Sequence, residues 1–336
     1  MLNKQQTAAY RLIQADMRYL MTVYLNKASL GGNYFVAMMP YFAMLVDGAE
    51  DWISAVNRAH PNTIAAPTFS VSQQEFYETA RKIIKLWEQP YEEIYNQLKA
   101  KYCEADLFFS SRCKPVAKLL HLYDTYGVYS ADHHFCNNTV LSALFLPDFQ
   151  LDKIDYGPML QSQSMIAGQY AVVFQALSPY QTNAKIQFCD QDYDGFIKSP
   201  VGRSFSNRFV LMSLLCQINF VLYCVDQYIV DETPTKLRLS YILYYYLCEA
   251  LPRLEREGMV HFDFDNQYYS RDFRNAMAHY KVGRFLREDE MIMNDPMYGM
   301  TQKAFGLDYR TVKIMIYKSL YSLSKQLETY LNLKMS

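Results

Sequence analysis

The chain has no Gly-rich phosphate loop, no G-x-S-x-G elbow and no H-E-x-x-H, which argues against kinase, hydrolase and zincin chemistry. It has no excess of charge: 33 Lys and Arg stand against 34 Asp and Glu, a formal net charge of −1. That excludes a generally basic nucleic-acid coat but leaves room for a local basic site. Paired cysteine spacing is missing as well. The 7 cysteines, an odd number, sit mostly in apolar surroundings such as Leu215-Cys216 and Leu247-Cys248, and so read as buried thiols of a reducing cytoplasm. Met1 to Gln6 carries no apolar core, so no signal peptide is expected. The apolar stretch 34–46 is short and broken by Pro40, and 209–225 contains Ser213, Gln217 and Asn219. Both read as core helices, with no membrane partner. No internal repeat or low-complexity tract occurs.

What is present is a globular composition. Half of the 336 residues are hydrophobic and 20% are charged, enough to build two ordinary domains or one large one. Tyrosine is abundant, at 30 residues. It can stack on bases and hydrogen-bond phosphates, though packing at helix rims is its commoner use.

Helical periodicity dominates, which predicts an all-α fold. Helices are expected over 8–25 and 35–58, separated by Gly31-Gly32, with a loop from His60 to Ser70. Ser72 with Glu75 forms a capping box for a helix whose Phe76, Ala80, Ile83 and Trp87 share a face until Pro90. The pattern resumes with Tyr91, Ile94, Tyr95 and Leu98. Shorter helices are expected over 113–122 and 137–144, and a longer one over 159–177. A turn-rich stretch, 178–203, with Pro179, Asn183, Gly195, Pro200 and Gly202, marks the expected boundary between an N-terminal helical region, 1–200, and a C-terminal unit, 201–336. That unit reads as four helices. The first, 204–229, is apolar all round. The second starts at Thr233-Pro234 and stops at Gly258, the third covers about 270–283, and the last is capped by Asp308 and carries Val312, Ile316, Leu320, Leu323, Leu327 and Leu331. Arg284 to Leu307 is longer than a bundle loop needs and is expected to gate or contact substrate.

The third of these helices carries Arg274-Asn275-Ala276-Met277-Ala278-His279. Arginine grips phosphate oxygens as a permanently charged fork, and histidine exchanges protons near neutrality. Asn275 and His279, four apart, share a helix face, whereas Arg274 lies roughly 140° round from His279. A second copy facing the helix across a two-fold axis would close Arg and His on one phosphate.

These six residues resemble the RNxxxH form of the R-x4-6-H signature of the HEPN superfamily, small helical domains that include metal-independent ribonucleases of toxin–antitoxin, abortive-infection and CRISPR systems. The resemblance implies a C-terminal HEPN-like four-helix bundle. It also implies a homodimeric endoribonuclease that needs no cofactor and leaves 2′,3′-cyclic phosphate ends, with an antitoxin or regulatory protein as a further partner. His279 would transfer protons, Arg274 would stabilise phosphorane charge and Asn275 would orient His279 or the phosphate. Arg271, Tyr280, Lys281, Arg284 and Arg287 flank the motif and are the expected RNA contacts. A non-catalytic binding or scaffold protein for nucleotide, RNA or a protein partner is the alternative, with Arg274 in an intramolecular ion pair, Asn275 capping a turn and His279 a satisfied core residue.

Two further clusters read as structural. Asp190, Asp192, Asp194, Gly195 and Ile197 open a calcium loop, but Lys198 and Val201 stand where ligands are needed, which leaves a solvated acidic turn or linker. Asp132-His133-His134-Phe135-Cys136 lacks a second zinc-spaced cluster and reads as a helix N-terminus capped by Asp132, so no metal is expected.

Overall fold

The computed structural model describes residues 2–120, 122–146, 156–194, 199–202 and 204–333. In chain order the helices are α1 (Lys4–Leu25), α2 (Lys27–Leu30), α3 (Gly32–Ala59), α4 (Val71–Ile83), α5 (Tyr91–Ser111), α6 (Pro115–Leu119), α7 (Thr139–Phe145), α8 (Gly157–Val173), α9 (Asn207–Asn219), α10 (Pro234–Arg256), α11 (Arg271–His279), α12 (Val282–Phe285), α13 (Pro296–Phe305) and α14 (Tyr309–Leu331). Three strands, β1 (Asp124–Ala131), β2 (His134–Asn138) and β3 (Phe188–Asp194), form an antiparallel sheet in the order β2-β1-β3. The protein is therefore mostly helical, in keeping with the expected all-α class in general, and the small sheet is an addition that the periodicity did not signal.

The sheet arises where short helices and turns were expected. Asp132 and His133 take φ of 46° and 68°, the left-handed pair that a two-residue hairpin needs. They are a β-turn and not a helix start. His134 opens β2, stacks on Tyr223 at 3.8 Å and bonds Glu328 on α14 at 2.9 Å, which spends its Nδ1 on holding the sheet to the last helix. The acidic run 190–194 is likewise strand and not a turn or linker, paired along β1, while 195–198 lie outside the described residues. Among the described residues of 113–122 only Pro115–Leu119 is helical, and Asn138, the last residue of β2, caps α7.

Other helices begin and end for local reasons. Ser70 with Gln73, and not Ser72 with Glu75, makes the capping box of α4. Asp308 caps α14 as its position predicts, accepting from Arg310 and Thr311. The segment Phe220–Gln227 continues α9 as a π-helical stretch. The combined helix is long and apolar enough to cross a membrane, yet nearly all of it is packed inside the protein. The expected loop 284–307 is largely ordered: Asp295 caps α13, which packs on α14 and α1.

The core does not divide at residue 200. Buried apolar side chains from Ala8 to Leu331 form one contiguous cluster. The first helix, α1, packs on α8, α10, α12 and α13, and α3 packs on α11. The four C-terminal helices therefore share their interior with α1 and α3, and it is α3 that walls one side of the motif helix.

Candidate functional site

Helix α11 is short because its C-terminal end is tied down. Arg238 of α10 donates through Nε to the Met277 carbonyl at 2.5 Å and through Nη2 to that of Ala278 at 3.4 Å, placing a cation on the orphan carbonyls of the last turn. The same guanidinium pairs with Asp16 of α1, and its Cζ lies 3.5 Å from the Tyr280 ring centroid. Tyr280 ends the helix in the left-handed region, at φ 48°, and its hydroxyl donates to Asp16 at 2.7 Å. Tyr280 is thus a buried anchor, which corrects its expected role as an RNA contact. Its ring also explains Gly48 of α3: a Cβ there would lie 2.8 Å from the ring and 3.3 Å from the Ala278 carbonyl oxygen. Lacking that Cβ, α3 comes close to the end of α11.

The two motif residues expected to do chemistry leave α11 in different directions. Arg274 is 8% exposed, with its Cζ 4.7 Å from the centroid of Tyr245 and 5.6 Å from that of Tyr246, both on α10. Its Nη1 donates to Asn275 Oδ1 at 2.9 Å, while its Nε is buried without a partner. Tyr245 stacks on Tyr269 at 4.6 Å, and both hydroxyls bond Glu249. His279 is half-buried on the other side, its Nδ1 without a hydrogen-bond partner. Burial first, then the charges of Lys281 and Arg81, push its pKa down to about 4. The imidazole is neutral at pH 7, able to accept a proton or a metal ion.

A cleft of about 600 Å³ runs along this face, lined by Asn275, His279, Lys281, Arg284, Phe285 and Lys303, with Asp272 and Ala276 completing it. Asn275 and His279 share it, as their spacing of four requires. Among the expected contacts, Lys281 and Arg284 line it, while Arg271 and Arg287 do not. Arg287 is paired with Asp289 and Glu290. Lys303, which the sequence reading passed over, enters from α13 and is held at 2.6 Å from Glu290. A second cleft, of about 260 Å³, is lined by Asn33, Tyr129, Asn137, Tyr156 and Asp190 among others, with no cation among the described residues. It does not suit a phosphate.

Behind His279 stands a group that the sequence reading missed. Asp47 and Asp51 of α3 come together with His279 so that one ligand-type atom from each lies within 4.8 Å of the others. Arg81 of α4 pairs with Asp47 at 2.6 Å. The signal was available: Asp47, Glu50 and Asp51 interrupt an otherwise apolar helix. No protein-family model, curated protein or solved structure matches this chain.

Proposed function

We propose that the cleft beside α11 holds an RNA backbone and that the protein is a metal-independent endoribonuclease of the HEPN type, of toxin or antiphage kind. The observation that carries this reading is Asn275: it accepts a hydrogen bond from Arg274 and lines the cleft that His279 also lines, so it connects the permanent cation to that cleft. Lys281, Arg284 and Lys303 supply positive charge along the same wall.

In this reading neutral His279 takes the proton of a ribose 2′-hydroxyl. The 2′-oxygen bonds to phosphorus, the bond from phosphorus to the 5′-oxygen breaks, and the imidazolium returns its proton to that oxygen. The products are a 2′,3′-cyclic phosphate and a 5′-hydroxyl. A second copy packed on α11 across a two-fold axis brings another Arg274 toward the phosphate. The enzyme would work as a cytoplasmic homodimer under the control of an antitoxin or other regulatory protein.

The test is cleavage of a mixed RNA pool by purified protein in EDTA, with product ends mapped. Cyclic phosphate ends are expected, falling by about a hundredfold or more in His279→Ala and in Arg274→Ala. Cutting that survives His279→Ala would sink the nuclease. A second reading, a non-catalytic binding module, draws support from Arg274 lying against Tyr245 and Tyr246 instead of in the cleft. It expects RNA to be bound and left whole, with affinity weakened by Lys281→Ala and Arg284→Ala.

A further inference from the structure

The acidic wall behind His279 has the makings of a cation site. Asp47 and Asp51, four residues apart, lie on one face of α3. Gly48 lies between them and permits the close approach of α11 that presents the imidazole. Ligand atoms around an ion with bonds of ~2.1 Å sit at most ~4.2 Å apart, so side-chain movements of under about 1 Å bring atoms now within 4.8 Å into one coordination sphere. Charge around the triad is mixed, with Lys281, Arg81 and Arg238 acting on the His279 side and acids on the α3 side. Glu50 and Glu78 add their fields to those of Asp47 and Asp51, and the Arg81 ion pair offsets one carboxylate. The buried His279 Nδ1 has no hydrogen-bond partner, which leaves that nitrogen with no structural employment. An imidazole with two carboxylates selects a borderline transition-metal ion over calcium or magnesium, which take oxygen ligands alone.

We propose that Asp47, Asp51 and His279 bind one divalent transition-metal ion, Zn²⁺ by preference, with Arg81 moving off Asp47 as the ion enters. Three protein ligands leave at least one position for water. The site also implies regulation: an ion on His279 occupies the lone pair that RNA cleavage requires, so Zn²⁺ inhibits the nuclease. That consequence rests on the ribonuclease reading, and the site itself does not.

The experiment is calorimetric titration of Zn²⁺ into chelator-stripped full-length protein, with Co²⁺ absorption spectra as a report on ligand geometry. One ion per chain is expected, weakened by at least about tenfold in Asp51→Asn and in His279→Gln, the lower end of what even an outer-shell contact is worth. Asp51 is exposed, so its substitution does not threaten the fold. Glu75→Gln, at an exposed acid of α4 outside the triad, is expected to keep full affinity. Absence of binding, or equal affinity in Asp51→Asn, overturns the site. Binding is read without RNA, so failure of the nuclease in EDTA leaves the metal result standing, and failure of the metal leaves the nuclease test intact.

Discussion

Arg238 and Arg274 lie on helices packed against each other, each over tyrosine rings, and among the described residues only Arg238 of the two is in an ion pair. Arg238 meets the Asp16 carboxylate, the carbonyls of Met277 and Ala278 and the Tyr280 ring, so every side of the guanidinium has a structural use. Arg274 has an amide, two tyrosine faces and an unpaired Nε. A buried cation with a matched carboxylate holds helices together. One that feels an acid such as Glu88 without pairing with it keeps more of its charge available to an incoming anion. The difference teaches that Arg238, and not the motif arginine, is the one tied into the fold.

Stability measurements should separate the two. Arg238→Met strands Asp16 in the core, and removing one partner of a buried pair costs about 3–5 kcal/mol. Arg274→Met loses cation–π contact worth about 0.5–2 kcal/mol. Urea unfolding of both variants checks this, and equal losses would erase the distinction. Cleavage should rank them the other way: Arg274→Met is expected to stay folded and lose RNA cutting.

Tyr280→Phe sharpens the same contrast at the helix end. It keeps the ring on Arg238 and removes the hydroxyl, with its contact to Arg238 and its hydrogen bond to Asp16, the latter worth about 1.5–3 kcal/mol because the acceptor is charged. Tyr245→Phe removes bonds to Glu249 and Tyr269 at a partly open site and is expected to cost less. Denaturation midpoints of the pair decide whether the Asp16 node or the Arg274 shelf carries the greater load. Gly48→Ala forces a methyl to within 2.8 Å of the Tyr280 ring. Overpacking of this kind costs about 1–3 kcal/mol, and the displaced α3 is expected to lower metal affinity as well.

How much of this was legible in the sequence varies with the reach of the interactions. The helices 8–25, 234–257 and 308–331 declared themselves through periodicity and end signals, and their observed bounds lie within a few residues. The shared face of Asn275 and His279 followed from helical geometry alone. The sheet did not show, because β1 buries residues in the pattern eBBiBBiB instead of alternating, and its hairpin turn uses Asp132 and His133 where Gly or Asn would have signalled it. The cap of α4 was displaced by two residues because Ser70-Gln73 and Ser72-Glu75 both fit the capping pattern. Burial of Arg274 and Tyr280 depends on Tyr245, Tyr246, Asp16 and Arg238, residues 28 or more positions away that local reading cannot bring near.

The smallest effect expected is a pH dependence that belongs to the His279 side and not to the Arg274 side. The folded pKa of His279 stands at about 4 against an ordinary 6.5, so between these values the unfolded chain binds more protons than the folded one. Stability contributed by the neutral imidazole is therefore fully present above about pH 6.5 and is lost progressively as the pH falls toward 4. Asp47 and Glu50 act in the opposite sense, since burial raises their pKa values and protonation favours the folded state. Thermal melts of wild type and His279→Gln across this range isolate the imidazole, because the carboxylate contribution is common to both. The wild-type Tm should drop more steeply with acid than that of the variant, by an amount reduced because water reaches much of the ring. Parallel curves would mean that the imidazole is as well solvated when folded as when unfolded, and would remove the basis for treating His279 as a neutral base in the cleft.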